Sequence, residues 1–325
     1  MADHAVDDDF DGDIFIYRGG LAPQHITHAR IDKSANEVER DAFDDCVSLL
    51  QVDTHDGIRR IRPCAFRWCK SLRRINLKSA AKIDAFAFYG CKNLADVEFG
   101  DRLATIGFSA FDGCDSLTLL KLPAITTIIG HAFLNCIRLT DVELSERLET
   151  IGGSAFYGCE RLQRIAIPLK RDLFAFDQYL DLNYSQFDKC EKLVTVDLVG
   201  GIHETVSSLH MESWRTEMIA EINRINQVLP NTHADDKTNE IRQWMHSVID
   251  KMDHYRAEHN RYVKEGITLL ELALWKAKLG ETKDNCEEGK TKKAKVDADS
   301  TRKERRVTCG ADMVIKNVLP FLQLK

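Results

Sequence analysis

An α/β solenoid followed by an α-helical C-terminal region is the architecture this sequence predicts, on three observations. Phenylalanines fall at 43, 66, 88, 111, 133, 156 and 187, at intervals of 23, 22, 23, 22, 23 and 31 residues. A fixed set of apolar residues and a cysteine travels with each of them. After Gly200-Gly201 the period stops and helical spacing takes over. Self-similarity at 22–23 residues marks stacked units of the leucine-rich kind, each too small to bury its own inward face.

Residues 1–13 carry six aspartates, at 3, 7, 8, 9, 11 and 13, and read as a disordered acidic tail. Ile14-Phe15-Ile16-Tyr17 reads as a short strand stopped by Gly19-Gly20 and Pro23. With Ile26 and Ile31 it makes 14–33 an N-terminal cap, because an open solenoid end would expose core and an unpaired strand edge.

Six to seven repeats of 22–23 residues occupy 34–200. Five positions before each phenylalanine stands an aliphatic residue: Val38, Ile61, Ile83, Ile106, Ile128, Ile151, Leu182. Three positions after it comes Cys46, Cys69, Cys91, Cys114, Cys136, Cys159 or Cys190, and three later a leucine, from Leu49 to Leu193. The Leu-x-x-Ile-x-Leu piece alternates with period two, so it predicts a short strand. The Ala-Phe-x-x-Cys piece predicts a tight helical turn. Phe43, Phe66, Phe88, Phe111, Phe133, Phe156 and Phe187, with Cys69, Cys91, Cys114, Cys136 and Cys159, form the expected repeat core. A thiol at a fixed repeat position behaves as a small buried hydrophobe. No Cys-x-x-Cys pair occurs, so neither a disulfide framework nor a metal site is expected.

Two repeats depart from the pattern. The fifth reads Ile128-Ile129-Gly130-His131-Ala132-Phe133, with its glycine one residue closer to the Ala-Phe pair. The seventh gains about eight residues around Lys170–Tyr184 and has Gln186 in place of alanine, as befits a terminal repeat. The aromatic-rich insertion, 171–179, either folds over the last rung or forms a ligand loop.

This unit, Leu-x-x-Ile-Gly-x-x-Ala-Phe-x-x-Cys-x-x-Leu-x-x-Ile-x-Leu-Pro, resembles the BspA-like subclass of leucine-rich repeats. The resemblance covers about half the chain and is carried most cleanly by Ile106-Gly107 to Leu117 and Ile151-Gly152 to Leu162. It implies a scaffold that binds a protein or another ligand. Members include extracellular surface proteins and intracellular ones.

From 205 to 280 a helical domain is expected. Trp214, Met218, Ile222, Ile225 and Leu229 make one amphipathic stripe, ended by Pro230. Ile241, Trp244, Met245, Val248, Met252 and Tyr255 make a second, which Gly266 is expected to break. Thr268 to Trp275 is apolar almost all round and predicts a buried third helix, with Thr268 and Glu271 at capping-box spacing. Residues 281–306 read as a polar, basic linker with Lys290, Lys292, Lys293, Lys295, Arg302, Lys303, Arg305 and Arg306 among its charges. Residues 307–325 turn apolar again and are expected to pack back on the helices or the last rung, since a free apolar tail would aggregate.

Charge and composition narrow the function classes. Lysine plus arginine number 45 against 51 aspartate plus glutamate, a formal charge of −6, which argues against a nucleic-acid binder. No apolar run reaches membrane-spanning length, and the N-terminus lacks the basic start and apolar stretch of a secretory signal, so an intracellular protein, cytoplasmic or nuclear, is expected. Phosphate loops, zinc-spaced histidines and nucleophile elbows are missing. His254 and His259 stand five apart, on different sides of a helix. No enzyme, cofactor or metal is expected.

The informative surface is the strand face. Outward positions form two columns, one reading Arg74, Asp96, Leu119, Asp141, Arg164, Thr195, and the other Asn76, Glu98, Lys121, Glu143, Ala166, Asp197. At ~4.8 Å per rung, neighbours in a column touch. Glu98–Lys121–Glu143 therefore predicts a cross-rung charge ladder. Arg74, Asn76, Asp96, Glu98, Lys121, Asp141, Glu143 and Arg164 are the candidate residues for a protein partner. The competing readings are an adaptor engaged through its C-terminal helices, and a nuclear protein using the basic 283–306 stretch.

Overall fold

The computed structural model describes residues 14–174, 185–209 and 211–284. The acidic stretch 1–13, most of the seventh-repeat insertion and everything beyond 284, including the expected return of 307–325, lie outside them. Among the described residues fifteen parallel strands, numbered in chain order, form three sheets. One joins β1 (Phe15–Tyr17), β2 (His28–Ile31), β4 (Gln51–Asp53), β6 (Arg74–Leu77) and β8 (Asp96–Phe99). A second joins β10 (Leu119–Leu122), β12 (Asp141–Leu144), β14 (Arg164–Pro168) and β15 (Thr195–Val199). The third links the two-residue strands β3 (Glu37–Val38), β5 (Arg60–Ile61), β7 (Lys82–Ile83), β9 (Thr105–Ile106), β11 (Thr127–Ile128) and β13 (Thr150–Ile151).

The repeat core is a column of rings. Phe43, Phe66, Phe88, Phe111, Phe133, Phe156 and Phe187 are each fully buried. Successive ring centroids lie 5.0, 5.1, 4.9, 5.4, 5.4 and 5.8 Å apart. Ring planes are tilted by only 8–9°, and by 15° at the last step. That spacing is set by strand pairing on either side.

Beside the rings runs a ladder of thiols. Cys69, Cys91, Cys114, Cys136, Cys159 and Cys190 each donate from Sγ to the carbonyl of the phenylalanine one rung back, at 3.0–3.3 Å. Burial raises the pKa of these thiols, to about 12 at Cys190, so the proton needed for the bond stays on sulfur.

Each Ala-Phe-x-x-Cys piece is a hydrogen-bonded turn, as in Cys114 N to Phe111 O at 3.2 Å. Two residues after each phenylalanine the backbone is left-handed: Asp45, Trp68, Gly90, Gly113, Asn135, Gly158 and Lys189 have φ between +55° and +71°. Glycine and asparagine enter that region at least cost. The glycine of the Ile-Gly step has another cause. A Cβ on Gly107 would lie 2.5 Å from the Asp84 carbonyl carbon, and one on Gly152 would lie 2.3 Å from Gly130 N. Adjacent rungs touch there through backbone alone.

The first rung closes the N-terminal end. Tyr17 is fully buried and lays its ring 5.0 Å from that of Phe43, tilted 40°, while its hydroxyl accepts from Glu39 N at 3.2 Å. At the other end of the repeats come α1 (Ile202–Ser207), α2 (Glu212–Val228) and α3 (Lys237–Asp284).

The chain divides into two compact units, and the division cuts through these helices. One unit comprises the repeats to Thr205 together with Ile219–Ile249; the other comprises Val206–Met218 and the chain from Asp250. In the first, helix and strand residues seal the last rung. Val196 N donates to Asn226 Oδ1 at 2.8 Å, and Phe187 N to Thr238 Oγ1 at 3.0 Å. Lys237, 2% exposed, donates from Nζ to the carbonyls of Cys190, Glu191 and Leu193 at 3.0, 2.7 and 2.7 Å. Ile225, Leu229, Ile241, Trp244, Met245 and Val248 are buried on the predicted stripes, and Trp244 Nε1 donates to Glu221 O at 2.9 Å. From the insertion, Leu173 and Phe174 are buried, and the Phe174 ring meets Phe187 edge-on at 5.8 Å.

In the second unit Trp214 stacks on Tyr255, with centroids 5.1 Å apart, and the Tyr255 hydroxyl bonds Glu217. Two expectations for this unit are corrected. Gly266 does not break a helix: α3 runs 48 residues without interruption, into the stretch expected to be linker. The Thr268–Trp275 run is not buried: Leu269, Leu272 and Trp275 are 68%, 51% and 66% exposed. Thr268 is no cap either; its Oγ1 bonds back to Lys264 O at 2.9 Å within the helix. One glycine costs a long helix only ~1 kcal/mol, which its flanking turns absorb.

Candidate functional site

The period-two alternation places the candidate side chains. In β6, Arg74 and Asn76 point to solvent while Ile75 and Leu77 are buried, and β10 repeats this with Leu119 and Lys121 outward. The columns hold in register: Arg74 faces Asp96 and Asn76 faces Glu98. On the second sheet Lys121 faces Glu143, and Asp141 faces Arg164.

The columns are interrupted once. β8 ends the first sheet and β10 begins the second, so Asp96 and Glu98 have no strand partner toward Leu119 and Lys121. The predicted Glu98–Lys121–Glu143 ladder is therefore not continuous. Glu98 pairs with Lys78 at 2.8 Å, and Lys121 pairs with Glu143 at 3.9 Å. Across this seam the ring column and the third sheet stay closed, with β7 paired to β9 and β9 to β11.

Two local features accompany the break. Phe99 puts an aromatic ring where other rungs carry Leu77, Leu122 or Leu144, and turns it edge-on to Phe111 at 5.8 Å. Gly100 approaches the preceding rung so closely that a Cβ would lie 1.9 Å from Lys78 O. Val97 and Phe99 are half-buried, whereas their equivalents in β6, β10 and β12 are buried.

The eight candidate residues thus fall into two groups. Arg74, Asn76, Asp96 and Glu98 surround a depression of about 370 Å³ on the first sheet, together with Gln51, Asp53 and Thr54. Arg74 donates to Gln51 Oε1 at 2.9 and 3.2 Å, which holds the guanidinium across one rung. Gln51 in turn donates to Asp53 at 2.8 Å, and Thr54 Oγ1 donates to Asn76 O at 2.6 Å. Lys121, Asp141, Glu143 and Arg164 lie on the second sheet. There Arg164 bridges Asp141 at 3.1 Å and Asp197 at 2.6 Å, and Ala166 is buried rather than exposed.

Gln51 and Asp53 escaped the sequence reading, although the same alternation extended one rung back would have found them, since Gln51 pairs with Arg74. A second charged network also escaped it. Along the third sheet Arg62 grips Glu37 at 2.9 Å, and Arg60 and Lys82 hold Asp84 at 2.6 and 3.4 Å. Asp84 is only 8% exposed at its side chain, so these charges are committed to each other.

Chemically, the strand face offers fixed charges and hydrogen-bonding groups on a rigid support. Among the described residues no group of three or more His, Cys, Asp or Glu is placed to hold a metal ion. No helix among them is long and apolar enough to cross a membrane.

The family model for the BspA type leucine rich repeat region matches in six copies, over residues 22–118, 75–193 and 104–232. No curated protein matches. Among solved structures, a leucine-rich repeat protein of T. pallidum is 24% identical, with a TM-score of 0.39, over 58% of this chain and 85% of that one. A leucine-rich repeat protein from Bacteroides ovatus is 20% identical, with a TM-score of 0.32, over 57% and 69%. A leucine rich cell surface protein from Faecalibacterium prausnitzii is 17% identical, with a TM-score of 0.26, over 56% and 62%.

Proposed function

The chain belongs to the BspA-type leucine-rich-repeat family, and from that premise we propose that it is a non-enzymatic protein-binding scaffold that docks its partner on the first-sheet strand face. The observation that carries this is the depression of about 370 Å³ bounded by Arg74, Asn76, Asp96 and Glu98. Its polar groups stand on strands that the ring column fixes, so a partner meets them at little ordering cost. Asp96 forms no ion pair with any described residue, which leaves a carboxylate for a partner's cation. On the second sheet, by contrast, Arg164 is already held by two aspartates.

The thiol ladder supports an intracellular setting. Each bond to a phenylalanine carbonyl needs the S–H, and a reducing compartment preserves it.

A photo-reactive amino acid placed at position 76, 96 or 143 of the full chain tests the docking face. The expected result is a covalent partner adduct from 76 and 96, the one from 76 abolished by Asp53→Lys with Asp96→Lys, and none from 143. Adducts from all three alike, or from none, would overturn the assignment.

A further inference from the structure

The distal part of α3 presents more apolar surface than a soluble helix normally leaves bare. Tyr262, Val263, Leu269, Leu272, Leu274 and Trp275 are 51%, 38%, 68%, 51%, 43% and 66% exposed. They do not lie on one stripe. Val263, Ile267, Leu270 and Leu274 follow one 4-3-4 spacing, and Thr268, Leu272 and Trp275, with Leu269 beside them, follow another on a different side of the helix. Upstream, Trp214 covers Tyr255 and reaches the edge of Tyr262, with centroids 5.1 and 6.2 Å apart. On the side of Thr268, Leu269, Leu272 and Trp275 three large apolar side chains are more than half exposed, and bare apolar surface of this kind marks a surface built to be covered.

The chain carries a suitable cover. After α3 come 22 mostly polar residues, 285–306, and then an apolar stretch, 307–324, whose only carboxylate and ammonium are Asp312 and Lys316. Within it Ala311, Ile315 and Val318 repeat the 4-3 spacing of α3. We propose that residues 307–324 dock on the side of α3 that carries Thr268, Leu269, Leu272 and Trp275, running back along it toward Tyr255.

Length permits this. Twenty-two residues span ~26 Å on average as a random coil, and the exposed part of α3 extends over ~20 Å at 1.5 Å per residue. Trp275 lies nine residues, ~14 Å, before Asp284, where the linker begins. The return path is therefore within ordinary reach. Tethering also favours this occupant over a second copy of the chain. Covalent linkage over so short a length gives an effective concentration on the order of millimolar, which a separate molecule must match by mass action.

The test uses the full chain and Trp275 as its probe. Acrylamide quenching is measured in the unaltered protein and in Val314→Asp with Val318→Asp, each against its Trp275→Phe counterpart to isolate this tryptophan. Unaltered protein should quench several-fold less at Trp275 than the tail variant, independently of protein concentration and with a monomeric sedimentation coefficient. Solenoid melting should be the same in both. As a second reading, Leu272→Cys should form a disulfide with native Cys309 under mild oxidation, within the monomer, faster than Arg256→Cys does. Equal quenching in the two proteins, or no faster cross-linking at 272 than at 256, overturns the proposal. So does shielding that grows with concentration as a dimer forms, because a second copy would then be the cover.

Discussion

The ammonium nitrogen of Lys237 lies 2.7 Å from the carbonyl oxygen of Leu193, inside the last rung. Two further carbonyls, of Cys190 and Glu191, accept from the same nitrogen at 3.0 and 2.7 Å. In every earlier rung the phenylalanine N–H donates to a carbonyl of the next turn, as Phe43 N does to Ala65 O at 2.8 Å. Here there is no next turn, and one lysine supplies three donors to its end, while Asn226 and Thr238 serve the backbone N–H groups of Val196 and Phe187. Desolvation lowers the Lys237 pKa, the cost of placing a cation there.

Replacing Lys237 by methionine keeps the stem but removes the donors. Cys190 O would keep the N–H of Leu193, but a buried carbonyl left without a partner costs ~1–3 kcal/mol, offset in part by no longer burying a charge. The net expectation is a loss of ~2–3 kcal/mol in urea unfolding. Hydrogen exchange should localise it: amides of β14 and β15 should exchange faster while those of β2 and β4 keep their protection. Uniform acceleration along the chain would contradict a capping role.

Phe111→Ala removes a ring stacked 4.9 Å from Phe88 and 5.4 Å from Phe133. Truncating a buried phenylalanine costs ~3–5 kcal/mol. Because each rung touches only its neighbours, protection should be lost first around Phe88 and Phe133 and last at Tyr17. The same substitution at Phe43, which stacks on one phenylalanine and meets Tyr17 at a 40° tilt, should cost less. Chemical denaturation of the two variants makes the comparison.

The ring column and the strand register were legible because both follow a strict period, and a period fixes which residues stack. The seam between Asp96 and Leu119 was not. In β8 and β10 only Phe99 and the outward-facing Leu119 depart from the pattern, and one aromatic in an aliphatic column with one leucine in a polar column does not announce that hydrogen bonds are missing beside them. Lys237 was missed because a lysine at a helix start reads as solvated. Asn226 did leave a trace, as a polar residue next to Ile225 on an otherwise apolar face. The α3 error had the opposite origin. An all-round apolar run implies burial, and the inference carries no information about which element provides the cover.

Gly107→Ala should be disproportionately damaging for a one-methyl change. The new Cβ would lie 2.5 Å from the Asp84 carbonyl carbon, a backbone atom that can retreat only if the rung moves. Overpacking of this sort costs ~1–3 kcal/mol. Gly113→Ala is the control. Its Cβ would find only Gly90 Cα, at 3.8 Å, so the penalty reduces to the left-handed φ of +68°, ~1 kcal/mol. Thermal melts should therefore rank Gly107→Ala below Gly113→Ala. The reverse order would show that conformational freedom, not rung contact, dictates glycine in this motif.

Stability should fall as pH rises from about 4 to 6, through one identifiable group. Burial pushes the Asp112 carboxyl up from 3.8 to about 6, opposed by a hydrogen bond from Ser109 and reinforced by Asp115. In that window the folded chain holds a proton that the unfolded chain has released. The unfolding free energy must then decrease with pH, because stability rises with pH only where the unfolded state binds more protons. Below both values the two states are equally protonated and the effect is flat; above about 6 the folded state carries a partly dry carboxylate. Asp112→Asn cannot ionise. Its advantage over the native chain should be small at pH 4, grow through pH 6 and then level off. Paired urea titrations across pH 4 to 7 measure that difference, and carboxylates elsewhere cancel from it. A constant offset at every pH would mean that Asp112 is as well solvated in the turn as in the unfolded chain.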